Sequence, residues 1–264
     1  MVLAIQHDPS AVLTPARWQS DDFDFWAFDR AIDDLVANAR PLKVADPEGS
    51  TIAQIAIRAR RLADARNAGS RASWFDRVLA AHRALHELDK PLVRADFDHA
   101  VDSWQWTLVL DVEVTAAVQL AALLHDIERL RSEPDVRIEH HAADYQAFKI
   151  AHARAGAVVA RELLAIAGVP RAIVDEACAL VAHHEQRGPR PDPSVAAIND
   201  ADALSFFSLN SPGYLAYFGA AQTARKVSYT LARMSPEARA WLPRLRLPRG
   251  IDVEIERWHG DHRA

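Results

Sequence analysis

The sequence has very little cysteine and no long apolar run. A single cysteine, Cys178, stands among 264 residues, which excludes an internal disulfide bond and a zinc site built from several thiolates. No window reaches the roughly 20 apolar residues that a membrane-spanning helix needs. The opening stretch MVLAIQHDPS also lacks the basic and then apolar pattern of a secretion signal. We therefore predict a cytoplasmic protein with no membrane partner.

Glycine and the alternating pattern of β-strands are also scarce. Only 9 glycines occur, whereas the helix-forming residues Ala, Leu, Arg and Glu are abundant. The sequence therefore predicts an all-α fold. Short breaks, most of which contain proline or glycine, separate seven helical segments. These helices are expected at 72–87, 95–110, 113–131, 143–167, 170–186, 194–208 and 213–234.

The seven helices form the central part of a three-part organisation. We predict a helical bundle over residues 71–235, preceded by an N-terminal helical extension over 1–70. A C-terminal tail over 236–264 is expected to pack on the bundle. Within the extension the sequence predicts helices at 22–39 and 50–67 but indicates no chemistry.

The charge balance favours a small-molecule ligand. The formal net charge is −5, which argues against a protein that binds nucleic acid through a broadly basic surface. We therefore expect no nucleic-acid partner. The sequence leaves the oligomeric state open, with a homodimer as one alternative.

Histidines and aspartates recur at intervals of about one helix plus a turn. In a helical bundle, such spacing places each of them on a different helix, facing a common centre. Imidazoles and carboxylates in this number suit a divalent metal ion. The residues are His99, His125, Asp126, His152, His183, His184 and Asp202.

Three parts of this pattern leave alternatives open. Asp202 competes with Asp200, and the Ala-Asp-Ala-Leu context favours Asp202. His183 and His184 both adjoin an apolar stripe of their helix, and the helical phase slightly favours His184. His125 and Asp126 end the apolar stretch AALLHDIERL, and neighbours on a helix point about 100° apart. They could bind different ions, or Asp126 could bridge two ions. A helix end that reaches solvent would also place two polar residues there.

The order of these residues resembles the signature of the HD-domain superfamily. That signature is a His, a His-Asp pair and a distal Asp, with two further histidines between them in the binuclear members. The stretches AALLHDIERL, HARAG, HHE and NDADAL resemble its successive parts over about residues 95–205. The Gly-Tyr-Pro turn that names the HD-GYP branch is missing. The resemblance implies an HD-domain helical bundle with a binuclear metal site. The implied ligands are His99, His125, Asp126, His152, one or both of His183 and His184, and Asp202.

The resemblance also implies phosphohydrolase chemistry on a small phosphorylated substrate, such as a nucleotide or a related phosphoester. One or two divalent ions, drawn from Fe, Mn, Zn, Ni, Co or Mg, would lower the pKa of a bound water. Asp126, Glu128 and Lys149 are the predicted catalytic residues. The predicted phosphate-binding residues are Arg129, Lys149, Arg154, Arg225 and Lys226.

Two alternatives belong to other functional classes. The same ligand order resembles the diiron oxygenases of this superfamily, and ligand identity alone does not separate them from the hydrolases. A non-catalytic module could also keep the metal and bind a nucleotide without turnover. Oxygen consumption would favour the first alternative, and tight nucleotide binding without product release would favour the second.

Overall fold

The computed structural model describes residues 67–138, 142–185, 192–245, 247 and 249–262. Within these ranges the protein is built from helices and has no β-strand, which confirms the predicted all-α fold. The two helices expected at 22–39 and 50–67 lie outside the described residues. The α-helices are α1 (Ser73–Leu85), α2 (Pro91–Leu110), α3 (Ala116–Leu124), α4 (Arg129–Ser132), α5 (Tyr145–Ile166), α6 (Arg171–His183), α7 (Pro193–Ser205), α8 (Ser211–Arg233), α9 (Pro236–Arg239) and α10 (Arg249–Asp261).

Side-chain caps fix the starts of three of the helices that surround the centre of the bundle. Thr115 accepts a hydrogen bond from the backbone N–H of Val118 at the start of α3. Asp144 and Asp192 cap α5 and α7 in the same way. Such caps satisfy backbone donors that have no partner within the helix. They therefore define where each helix enters the bundle.

The helix expected over 113–131 is interrupted. The structure places α3 and α4 there, separated by a turn at residues 125–128. The N–H of Ile127 bonds to the carbonyl of Leu124 at 3.2 Å, and the N–H of Arg129 bonds to the carbonyl of Asp126 at 3.0 Å. Bonds between residues three apart tighten the chain relative to an α-helix. The His-Asp pair therefore lies in a tight turn at the end of α3.

The main core lies between α1, α2, α3, α5, α6 and α7. Trp104 is fully buried there, and its indole N–H donates to the Gln119 side chain at 3.1 Å. Helices α5 and α6 pack against each other as a hairpin. Gly168 closes α5 with a φ of 71°, and the N–H of Val169 bonds to the carbonyl of Leu164. This helix end favours glycine because other residues rarely adopt a positive φ.

A second core cluster joins α8 and α10 to the end of α2. It contains the buried side chains of Trp106, Phe207, Leu231 and Ile251. A π-helical turn, Phe206–Asn210, connects α7 to α8, and α8 is broken at Gly219. The described part of the region predicted as a C-terminal tail thus packs on α8. No helix in the described ranges has the length and apolarity needed to cross a membrane.

Candidate metal centre

Side chains from five segments of the bundle meet in its interior. These side chains form two groups of three residues. Within each group, the potential ligand atoms all lie within 4.8 Å of one another. The first group is His99, His125 and Asp126, and the second is Asp126, His152 and His184. Asp202 adjoins the first group, because its Oδ1 lies 3.1 Å from His99 Nε2 and 3.7 Å from His125 Nε2. These groups could hold a metal ion.

Asp126 belongs to both groups and faces each of them with a different oxygen. Its Oδ1 lies 3.0 Å from His152 Nε2, and its Oδ2 lies 3.7 Å from His125 Nε2. The tight turn at residues 125–128 places this carboxylate between the imidazoles of α5 and α3. A carboxylate in this position could bridge two ions, which is one of the alternatives that the sequence left open.

Backbone carbonyls orient the rings of His125 and His184. The Nδ1–H of His125 donates to the carbonyl of Ala122 at 2.8 Å, and the Nδ1–H of His184 donates to that of Val181 at 2.7 Å. A carbonyl oxygen can only accept, so Nδ1 carries the proton in each neutral ring. Both Nε2 atoms are buried and have no hydrogen-bond partner among the described residues. This orientation leaves Nε2 as the atom that could bind a metal.

Side chains orient the other two rings. Glu128 Oε2 lies 2.7 Å from His152 Nδ1, and a carboxylate at this distance accepts the Nδ1 proton. Ser205 Oγ donates to the carbonyl of His99 at 3.3 Å and therefore accepts from His99 Nδ1 at 2.8 Å. All four imidazoles therefore direct Nε2 inward. Glu128 was predicted as a catalytic residue, and in the structure its carboxylate contacts the ring of the candidate ligand His152.

The electrostatics of the centre favour positive charge at His125. Burial by itself lowers the pKa of this imidazole, but the carboxylates of Asp126 and Asp202 outweigh burial and raise the pKa to about 9. Burial raises the pKa of both carboxyls, yet Arg129, His125 and His152 hold the pKa of Asp126 well below its usual range. His125 and His99 do the same for Asp202. The two aspartates are therefore ionised. The negative field that retains a proton on His125 also favours a metal cation.

The structure separates the two neighbouring histidines at the end of α6. His184 is 1% exposed and belongs to the second group, whereas the side chain of His183 is exposed and lies outside both groups. Asp200, two residues before Asp202, instead accepts a hydrogen bond from the N–H of Ser235 at 2.8 Å. The burial of His184 agrees with the helical phase, which favoured this residue over His183.

Gly156 lets α5 approach the turn that carries the His-Asp pair. A Cβ atom built on Gly156 would lie 3.4 Å from the carbonyl oxygen of His125 and 3.7 Å from the Cβ of Glu128. These are ordinary van der Waals distances, so an alanine would fit here, whereas a long side chain would have to displace the turn. The HARAG stretch therefore packs closely against the turn that carries the His-Asp pair.

Of the predicted phosphate-binding residues, two border the centre. The Nε of Arg129 lies 2.9 Å from Asp126 Oδ2, and its Nη1 lies 3.0 Å from Glu133 Oε2. Lys149 is buried and forms an ion pair with Glu185 at 2.5 Å.

The other three predicted phosphate-binding residues lie farther from the ligands. Arg154 and Arg225 are exposed, and Arg225 bonds to Gln222. Lys226 is half-buried and lies over the rings of Phe206 and Tyr229. The structure brings none of these three side chains to Asp126 or Glu185.

A further arginine lies near the candidate centre, and no pattern in the sequence indicated it. Arg233, the last residue of α8, approaches Glu185 and the backbone of His184. It follows Asp202 by 31 residues and lies outside every motif in the sequence. Its four-residue spacing from Tyr229, whose hydroxyl it contacts at 3.2 Å, is the only local signal.

The described residues therefore define an all-α protein with a buried cluster of imidazoles and carboxylates that could hold a metal. The chain belongs to the family described as "Domain of unknown function (DUF4202)", whose family model matches residues 76–253, more than half of the chain. The match includes every candidate ligand named above. No curated protein and no solved structure matches the chain.

Proposed function

We propose that this protein is a metal-dependent phosphohydrolase of the HD-domain type that acts on a small phosphorylated substrate. The observation that carries the proposal is the carboxylate of Asp126, which two groups of buried imidazoles share. The sequence resemblance to the HD-domain superfamily and the inward Nε2 atoms of four imidazoles support the same reading. The protein would act on a nucleotide or a related phosphoester in the cytoplasm.

The residues present fit a pair of divalent ions. His99, His125, Asp126 and Asp202 would hold one ion, and Asp126, His152 and His184 would hold the second. The buried Nε2 atoms of His125 and His184 lack hydrogen-bond partners among the described residues, as expected for metal ligands. A mixed nitrogen and oxygen set suits Fe, Mn, Zn, Ni, Co or Mg. Such ions would polarise a phosphoryl oxygen and lower the pKa of a bound water.

The surrounding side chains would hold the ligands and the substrate. Arg129 contacts Asp126 Oδ2 and helps to keep this carboxyl ionised. Glu128 accepts the Nδ1 proton of His152 and so fixes the direction of its Nε2. Lys149 forms a close ion pair with Glu185, and Glu185 adjoins His184 of the second group. The divalent ions themselves would supply the positive charge that favours an anionic substrate such as a phosphate ester.

The experiment combines elemental analysis with phosphate release. Protein purified without chelator or nickel affinity should carry close to two metal ions per chain and should release phosphate from phosphomonoesters. Asp126→Ala should lose both properties and keep its helical circular dichroism, because Asp126 serves both groups. Asp175→Ala is the control, since Asp175 is a half-exposed carboxylate that pairs with Arg161.

Three results would contradict the proposal. Undiminished metal content in Asp126→Ala would remove the assigned site. Bound iron with substrate-dependent oxygen uptake and no phosphate release would favour the oxygenase alternative. Metal binding with tight nucleotide binding and no product of any kind would favour a non-catalytic module.

A further inference from the structure

We propose that Arg233 binds the phosphate of the substrate, as the anion anchor of the candidate centre. This inference rests on the proposed function, because it assumes a substrate with a phosphate group beside the ligands. It extends the proposal to α8, a helix that supplies none of the candidate metal ligands.

The Arg233 guanidinium lies beside the backbone and side chains that carry the second ligand group. Its Nη2 is 3.4 Å from the carbonyl of His184, and its Nη1 is 3.6 Å from Glu185 Oε2. Its Nη2 also contacts the side-chain oxygen of Asn199 on α7. The side chain therefore lies between residues of α6 and α7 that adjoin the candidate ligands.

Neighbouring side chains hold this guanidinium in one orientation. Nη2 also donates to the Asn199 side chain, and Nη1 donates to the Tyr229 hydroxyl at 3.2 Å. The guanidinium carbon lies 5.1 Å from the centre of the Tyr229 ring, within the range of a cation–π contact. A preoriented planar guanidinium can bind two oxygens of a phosphate at low entropic cost.

Glu185 makes its close ion pair with Lys149 rather than with Arg233. The Lys149 Nζ to Glu185 Oε1 distance is 2.5 Å, whereas the contact with Arg233 at 3.6 Å exceeds the usual length of an N–H···O hydrogen bond. The Lys149 side chain is 6% exposed, and the Arg233 side chain is 19% exposed. Arg233 is thus the more accessible cation of the two and the less tightly bound to Glu185.

The other arginines near the candidate ligands are less suitable anchors. Arg129 lies within 3.0 Å of oxygens from two carboxylates, Asp126 and Glu133, and its side chain is 11% exposed. Arg154 is exposed on α5, two residues beyond His152, and a step of two residues turns the side chain about 200° around a helix. Arg233 combines a position beside the ligands with partial exposure.

The test measures binding of inorganic phosphate to the metal-loaded protein by titration calorimetry. Arg233→Met should weaken phosphate binding about tenfold or more, the expected cost of losing a charge-assisted hydrogen bond. Arg233→Lys keeps the charge without the planar fork, so its affinity should lie between those of Arg233→Met and the wild type. Arg171→Met is the matched control, because Arg171 is exposed at the opposite end of α6 from His184.

Metal content and melting temperature are measured for every variant, so that a loss of phosphate binding can be separated from misfolding. If Arg233→Met does not fold, Arg233→Lys carries the test. With a phosphomonoester substrate that turns over, Arg233→Met should raise KM more than it lowers kcat if Arg233 holds the phosphate equally in the ground state and the transition state.

The outcomes separate this inference from the proposed function. Phosphate affinity within twofold of wild type in folded, metal-loaded variants would overturn the role of Arg233, as would the absence of phosphate binding by the wild type. Phosphate binding that depends on Arg233, in a protein that hydrolyses no phosphoester, would support the anchor and refute the hydrolase.

Discussion

Acidification should destabilise the protein through a histidine pair that lies apart from the candidate centre. His82 and His86 are buried with ring centres 4.3 Å apart, and both contact Phe97. Burial, with Arg83 nearby, lowers the pKa of His86 to about 4 in spite of its hydrogen bond to the His82 carbonyl. Burial and the neighbouring imidazole lower the pKa of His82 as well.

The sign and size of the effect follow from the pKa of His86. In the unfolded chain the ring has its ordinary value of 6.5, so the unfolded chain binds the proton first as the pH falls. The unfolded state is therefore favoured progressively between pH 6.5 and about pH 4. For one group with these two pKa values, the free energy of unfolding falls by about 2 kcal/mol between pH 7 and pH 5.

The assay is urea denaturation at pH 7 and pH 5, followed by circular dichroism. Between pH 7 and pH 5, the free energy of unfolding of His86→Asn should fall by about 2 kcal/mol less than that of the wild type. The reason is that the amide keeps a hydrogen-bond donor but does not titrate. His262→Asn is the control, since His262 also faces the carbonyl four residues before it but is exposed. An equal loss of stability in wild type and His86→Asn would refute the reasoning.

Three further predictions concern the candidate centre and share elemental analysis as the measurement. Glu128→Gln should weaken metal binding about 10- to 100-fold, because the neutral amide orients the His152 ring less strongly; unchanged affinity would contradict this. Gly156→Leu should lower metal content by displacing the turn after α3, while Gly156→Ala should retain most of it; equal content in both would be inconsistent with close packing there. His184→Ala should lose metal and His183→Ala should keep it, and the reverse result would show that the exposed ring is the ligand.

The sequence predicted the helices and the set of candidate ligands because both depend on spacing along the chain. Intervals of 26 and 27 residues from His125 to His99 and to His152 leave room for one helix and one turn. In the structure the rings of His99 and His125 are 5.3 Å apart, and His152 Nε2 lies 3.0 Å from Asp126. The apolar stripe of α6 likewise favoured the residue that is buried, His184. The functional role of these residues stays a prediction.

Other features could not be predicted because they depend on packing between distant segments. The apolar pattern continues through Ile127, so it gave no sign that the helix tightens into a turn at 125–128. The position of Arg233 depends on how the end of α8 packs against α7 and the residue that follows α6, and no local motif encodes that packing. Proximity in sequence therefore predicted only some of the charged residues that border the candidate metal centre.

The hydrogen bonds from His125 and His184 to the carbonyls of Ala122 and Val181 have a consequence for how the centre tolerates mutation. Each histidine directly follows the last residue of its helix, where carbonyl oxygens have no donor within the helix. The acceptors are main-chain atoms, so substitution of the residues that carry them would leave the ring orientation intact. These two helix ends also direct the negative poles of their dipoles at the ligands. Part of the attraction for a cation is therefore a property of the backbone.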